Sequence, residues 1–121
     1  MLLTAGLCQA QDQVVFTGTP QVRFDSDGTT TKEHDLSQEG ASKYICRITS
    51  KGKRFYWASR GNRELIRTDS GDYTYYVSPE GTGYVKIYTG KTNPNVKMPY
   101  TYLEHFSSEM KVYTYWGKAG Q

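Results

Sequence analysis

The feature of this sequence that most restricts its fold is the run YICRITSKGKRFYWAS at residues 44–59. Side chains on a β-strand alternate between two faces, and the apolar and aromatic residues of this run recur at a spacing closer to two than to the 3.6 residues of a helical turn. Gly52 separates the two halves and can take the positive φ that a hairpin turn needs. The pattern therefore predicts two antiparallel strands, the second of which buries Phe55 and Trp57.

Short alternating runs of the same kind recur along the rest of the chain, separated by turns rich in Gly, Pro, Asp and Ser. The chain has 121 residues, of which 11 are Tyr and 12 are Gly, a composition that favours strands and tight turns over helices. The sequence predicts a single all-β domain over residues 11–121. Its architecture is expected to be a small antiparallel β-sandwich or a partly open β-barrel of about seven to eight strands.

Two regions of this domain are interpreted by the same rules. Residues 13–16 and 21–24 are expected to be separate short strands, because the Gly-Thr-Pro sequence at 18–20 is typical of a turn. Residues 28–42 are polar and carry few apolar side chains. They are expected to form a loop, with one helical turn around residues 36–41.

The first ten residues differ from the rest, because they are uncharged and largely apolar and end in Cys8-Gln9-Ala10. They predict the remnant of a secretory signal peptide at residues 1–10, cleaved after Ala10, and a secreted or periplasmic location. The basic region that begins such peptides is missing, which a start codon placed too far downstream would explain. The alternative is a buried N-terminal strand or helix. No later run approaches the ~20 apolar residues of a membrane-spanning helix, so no transmembrane segment is expected.

The sequence offers little for catalysis or metal binding. The two histidines lie 71 positions apart and neither belongs to a ligand-spaced motif, so no metal or cofactor is predicted. A nucleophile could be built from Cys46 and His105, but Cys46 has the strand context of a small buried apolar residue. Loss of the leader would leave Cys46 as the single cysteine, which excludes an intramolecular disulfide.

Charge is distributed unevenly along the chain. Residues 1–40 contain six acidic and two basic side chains, whereas residues 41–67 contain eight basic side chains and one acidic. One explanation is that the acidic segment lies against the basic hairpin. The other is that the basic residues contact an anionic partner.

Two sets of residues are candidates for ligand binding. Arg60, Asn62 and Arg63 form a polar loop after the Trp57 strand, and guanidinium groups on a loop between rigid strands suit carboxylate, phosphate or sulfate recognition. The alternative is that both arginines pair with acidic residues and brace the loop.

Tyrosines that face outward are the second set. Tyr84 is expected to point outward from its strand. In the last strand, residues 110–116, Tyr113 and Tyr115 are expected to point outward and Trp116 inward. Exposed aromatic rings can stack on sugars, bases or peptides, although cross-strand tyrosines also stabilise sheets. The candidate ligand-binding residues are Arg60, Asn62, Arg63, Tyr84 and Tyr113.

No single motif establishes a function. The favoured interpretation is a small exported, non-enzymatic binding or interaction domain, whose partner is an anionic or carbohydrate ligand or another protein. Two alternatives stay open. One is anion or nucleic-acid binding through the basic residues 43–67, which added salt would weaken steeply. The other is a small hydrolase-like enzyme that uses Cys46 or His105.

Overall fold

A computed structural model describes residues 12–37, 41–108 and 111–120. The predicted signal peptide at residues 1–10 lies outside these ranges. The described residues form one short 3-10 helix, Ala41–Tyr44, and nine strands. The strands are β1 (Gln13–Ser26), β2 (Thr31–Asp35), β3 (Cys46–Lys51), β4 (Arg54–Trp57), β5 (Arg63–Ser70), β6 (Tyr73–Val77), β7 (Gly83–Tyr88), β8 (Tyr102–Ser108) and β9 (Lys111–Ala119).

The strands form a closed antiparallel barrel. Strands β3 to β9 pair in chain order, β3 also pairs with β1, and β1 pairs with β9 to complete an eight-stranded circuit. Strand β2 is the ninth strand and lies outside this circuit, paired with the second half of β1. The predicted all-β fold is therefore confirmed, and the hairpin at residues 44–59 corresponds to β3 and β4.

Strand β1 differs from the two short strands expected around Gly18 and Pro20, because it runs without a break for 14 residues. Its first half pairs with β3, its second half with β2, and residues 18–26 also pair with β9. Pro20 lies beside a register shift in the pairing with β9, and a bulge is one of the few places where a sheet tolerates proline.

Residues 28–42 also differ from the expected loop, because they contain β2. The Asp27 carboxylate accepts hydrogen bonds from the backbone N–H groups of Thr29 and Thr30, at 2.9 and 2.8 Å, and so fixes the turn that leads into β2. The strand reads TKEHD, and its charged side chains suit an exposed edge that must avoid pairing with other chains. Such a strand carries no apolar alternation to reveal it. The 3-10 helix Ala41–Tyr44 begins where the expected helical turn at residues 36–41 was to end, and residues 38–40 lie outside the described ranges.

The barrel interior is filled by large side chains. Trp57 is 0% exposed, as predicted, and the partly buried Phe55 packs against the same core. The rings pack edge to face, with centroids 6.0 Å apart for Trp57 and Phe106 and 5.3 Å apart for Phe55 and Tyr76. The core residues are Phe16, Cys46, Ile48, Trp57, Leu65, Tyr76, Val85 and Tyr102.

The orientation expected for β9 was wrong. Tyr115 is only 3% exposed and the Tyr113 ring lies 5.3 Å from that of Phe106, which packs against the core. Trp116, between the two inward positions Tyr115 and Gly117, therefore points outward. Close contact with β1 fixes this register, since a Cβ at Gly117 would overlap the carbonyl oxygen of Thr19.

Replacing the Trp57 side chain tests this core. Trp57→Ala should lower the free energy of unfolding by about 3–5 kcal/mol, because it removes a fully buried ring and leaves a cavity. Ile66→Ala is the control, since Ile66 is 55% exposed on the outer face, and it should cost no more than about 0.5 kcal/mol. Guanidinium unfolding followed by circular dichroism measures both, and equal costs would contradict the assigned core.

Candidate functional site

A charged group lies inside the barrel at Glu104, on β8, whose side chain is 0% exposed. Its Oε2 atom accepts hydrogen bonds from Trp57 Nε1 at 2.7 Å and from Arg60 Nε at 3.0 Å. Its Oε1 atom accepts a third from Arg60 Nη2 at 3.0 Å. A buried carboxylate needs such partners, and the bidentate guanidinium supplies both charge and hydrogen bonds.

The loop between β4 and β5 aims Arg60 at Glu104. The Trp57 carbonyl accepts hydrogen bonds from the N–H groups of Arg60 and Asn62, at 3.0 and 2.9 Å, and Asn62 takes the left-handed φ of 58° that closes the turn. The guanidinium carbon lies 4.4 Å from the ring centre of Phe106 and 5.0 Å from that of Tyr115. Arg60 therefore forms cation–π contacts as well as its ion pair.

Arg60 is held in its charged form. Burial alone would lower the pKa of the Arg60 guanidinium, but the hydrogen bonds and charge of Glu104 outweigh burial and raise it. Arg60 therefore pairs with an acidic residue and braces the loop, which was the alternative to ligand binding. Its partner is Glu104 rather than a residue of the acidic N-terminal segment. Arg63 is exposed and donates a hydrogen bond to Thr82 Oγ1 at 3.2 Å.

The five candidate residues do not share one surface. Arg60, Asn62 and Arg63 lie together on the loop, but Arg60 points into the barrel. Tyr84 packs against its β8 partner His105, with ring centres 5.3 Å apart, and so lies on the outer face. Tyr113, expected to face outward, lies on the inner face.

Cys46 and His105 cannot form a nucleophilic pair. Cys46 is 0% exposed inside the barrel, where burial raises the pKa of its thiol well above the ordinary value. His105 follows the inward Glu104 and points outward, where its Nδ1 lies 3.0 Å from Thr114 Oγ1. Among residues 12–37, 41–108 and 111–120, no group of three His, Cys, Asp or Glu side chains could hold a metal ion.

The acidic segment, residues 1–40, and the basic segment, residues 41–67, lie side by side where β1 pairs with β3. Among the described residues, no ion pair connects the two segments. Asp25 contacts Arg23 at 2.8 Å and His34 Nε2 at 3.2 Å, all within the acidic segment. In the basic segment, Arg67 contacts Asp69 at 3.3 Å, as Arg60 contacts Glu104.

The outer face of the sheet carries a surface that we call the aromatic groove. It crosses β6 to β9, where Lys86 is the register partner of Tyr75 and Leu103, and Leu103 is also the partner of Trp116. Residues next to these in sequence, such as Val85 and Tyr115, are buried inside the barrel. The aromatic groove comprises Tyr73, Lys86, Tyr88, Tyr100, Leu103 and Trp116, and it continues over β1 and β2 to Val22, Phe24 and Glu33.

Two hollows meet in this groove. The first, which we call the Lys86 hollow, has a volume of about 230 Å³ and lies over β6 to β9. The second, the Glu33 hollow, has a volume of about 330 Å³ and is lined by Val22, Phe24 and Glu33. Tyr100 and Trp116 line both hollows, and their ring centres lie 6.0 Å apart. We call this pair of rings, which both hollows share, the ridge.

Hydrogen bonds hold the ridge in place. Thr101 donates its N–H to the Gly117 carbonyl at 2.8 Å, and its hydroxyl accepts the Ala119 N–H at 2.7 Å. The Thr101 carbonyl accepts the Tyr88 N–H at 2.8 Å. The residue after Tyr100 is thus fixed to β7 and β9, so hydrogen bonds within the protein order the backbone beside the ridge.

Lys86 is the basic side chain that lines the Lys86 hollow. Its Nζ atom lies 4.2 Å from the ring centre of Tyr73 and 5.7 Å from that of Tyr75, which places the ammonium over aromatic faces. Lys86 is not among the residues that the sequence predicts to bind a ligand, and Trp116 was expected to face inward. The signal that could have found the groove is the presence of aromatic residues on both faces of β9.

Comparisons with protein-family models, curated proteins and solved structures find no match to this chain. Among the described helices, none is long and apolar enough to cross a membrane.

Breaking the internal ion pair tests its role in stability. Arg60→Met should lower the free energy of unfolding by about 3–5 kcal/mol, because it leaves a buried carboxylate without its cation. Adding Glu104→Gln should recover much of this loss, because the amide oxygen still accepts from Trp57 without a buried charge. Arg63→Met, on the same loop but exposed, is the matched control for denaturant unfolding. A cost no larger than that of the control would show that the pair contributes little.

The buried thiol gives a second test, made in a Cys8→Ser background so that one cysteine reacts. Native protein should react with Ellman's reagent only at the rate at which it unfolds, because Cys46 is enclosed. Since the folded state holds the thiol proton more tightly, the free energy of unfolding should fall as the pH rises above about 8.5. A Cys46→Ala variant should lose less stability over the same range. Rapid labelling of native protein would contradict this burial.

Proposed function

We propose that the protein is a non-enzymatic binding domain that holds its ligand against the aromatic groove on the outside of the barrel. The observation that carries the proposal is the pair of hollows that share the Tyr100–Trp116 ridge. Binding sites are typically concave and mostly apolar, with a few polar groups that orient the ligand, and the groove has this composition. Export to the periplasm or the exterior remains a prediction from residues 1–10.

Burial explains why aromatic side chains on this face favour binding. Trp116 and Tyr100 are only partly buried, so their rings leave apolar surface in contact with water. A ligand that covers these rings gains the free energy of burying that surface, and each ring loses little conformational freedom. The rings are attached to paired strands, so the cost of ordering them has been met by folding.

The charges support binding rather than catalysis. General acid–base catalysis needs titratable groups within hydrogen-bond reach of one substrate atom. In the groove, Lys86 lines one hollow and Glu33 the other, with the ridge between them. Glu104 and Arg60 are bonded to each other inside the barrel and Cys46 is enclosed beside them. These contacts leave them no role at the groove.

Substitutions in the ridge test the proposal. Trp116→Ala should weaken binding by about 30-fold, because central aromatic residues commonly contribute about 2 kcal/mol or more. The ligand is sought by two-dimensional NMR titration with neutral sugars, acidic sugars, peptides and inorganic phosphate. Amide shifts are expected at Lys86, Leu103 and Tyr100.

Two variants serve as controls for this titration. Tyr84→Ala removes an outer-face ring outside the groove, and Arg63→Ala removes the exposed cation of the polar loop. Neither should change affinity, and each variant must first show the circular dichroism and unfolding midpoint of a folded protein. Binding that survives Trp116→Ala but is lost in Arg63→Ala would overturn the proposal and favour the polar loop.

A further inference from the structure

We infer that the ligand of the aromatic groove is a neutral oligosaccharide of at least two units, laid across the Tyr100–Trp116 ridge. This inference rests on the proposed function and names the ligand class of the same site.

The surface of the groove suits a molecule with both apolar and polar faces. The rings of Tyr100 and Trp116, with Leu103 beside them, present apolar surface, whereas Lys86 and Glu33 present charges. A wholly apolar ligand would cover these charged groups without giving them hydrogen-bond partners, which costs free energy. A sugar ring has a face of C–H groups that stacks on an aromatic ring and a rim of hydroxyls that donate and accept.

The polar groups are placed so that hydroxyls can bond to both sides of the ridge. In the Lys86 hollow, the ammonium is a donor that lies over the Tyr73 ring and can bond to a sugar oxygen. In the Glu33 hollow, the carboxylate is an acceptor for a hydroxyl proton. Hydroxyls serve as partners for both groups, because each one can donate or accept.

Charge at the second end argues for a neutral ligand. A further hollow of about 290 Å³ continues the groove past Tyr100 and is lined by Glu33, Asp35 and Ser37. The Ser37 hydroxyl and N–H both donate to Asp35, which lowers the pKa of that carboxyl and keeps it ionised. Two carboxylates at one end would repel the phosphates of a nucleic acid or the carboxylates of an acidic sugar.

The shared ridge accounts for the length of the ligand. The two hollows of about 230 and 330 Å³ are separate, and Tyr100 and Trp116 line both. A single sugar unit can occupy one hollow, whereas a chain that uses both must cross the ridge. Linking two units makes the second contact intramolecular, so affinity should rise with chain length.

The experiment titrates the full chain with cellohexaose, maltohexaose and chitohexaose, and with glucose and N-acetylglucosamine, by two-dimensional NMR and tryptophan fluorescence. At least one hexaose should bind about tenfold or more tightly than its own monosaccharide. The signal should come from Trp116, since Trp57 is fully buried, and Trp116→Phe should remove it. Tyr100→Ala should lower the affinity for the hexaose to that for the monosaccharide.

Charge is tested with a hexamer of galacturonic acid. The acidic hexamer should bind more weakly than the neutral hexaose. Glu33→Gln should reduce this difference in affinity between the two hexamers. Glu64→Gln is the control, because Glu64 is exposed on β5, and it should leave the difference unchanged. If a peptide or a single-stranded oligonucleotide binds in the groove and none of the three hexaoses does, the oligosaccharide inference is wrong and the proposed function stands. If none of the sugars, peptides, oligonucleotides or phosphate shifts the groove amides, both are wrong.

Discussion

The pairing of β1 with β9 is the constraint on which the rest of the structure depends, because it turns a row of strands into a closed barrel. Closure gives every strand in the circuit one face that is enclosed and one that is not. A side chain at the centre of the inner face then loses its contact with water, whatever its chemistry. Glu104 is enclosed in this way, and Trp57 and Arg60 supply the hydrogen bonds and charge that water would otherwise have supplied.

This internal network also explains why the guanidinium of Arg60 does not face solvent as a loop arginine was expected to do. Arg60 is an exposed loop arginine by sequence, and its guanidinium would suit an anion. In the structure it reaches inward to Glu104 and lies against Phe106 and Tyr115, so its donors and its ring contacts are used for stability. Arg60 cannot bind an external anion as well, because it would have to leave Glu104 as a buried carboxylate without its cation. Arg60 therefore braces the polar loop against the barrel interior, whereas Arg63 of the same loop is exposed.

The all-β class, the central hairpin and the burial of Trp57 could be predicted from the sequence, because two-residue alternation and turn residues determine them locally. The path of β1 through Pro20 could not, since it depends on a bulge opposite β9. Strand β2 carries no apolar face to reveal it. The candidate site was only partly predictable, because Arg60 has a partner 44 residues away and Tyr113 belongs to a strand with aromatic side chains on both faces.

The presence of aromatic side chains on both faces of β9 has a physical consequence. A strand whose two faces are both aromatic is either enclosed on both sides or has one ring-bearing face in contact with water. Here Tyr115 is buried in the core, and a Cβ at Gly117 would overlap the backbone of β1 on the same inner face, so Trp116 between them lies on the outside. The interior is occupied by side chains such as Trp57, Val85 and Tyr102, so the binding site that we propose lies on the outer face. The register that closes the barrel thus also places Trp116 beside Tyr100, where the two hollows meet.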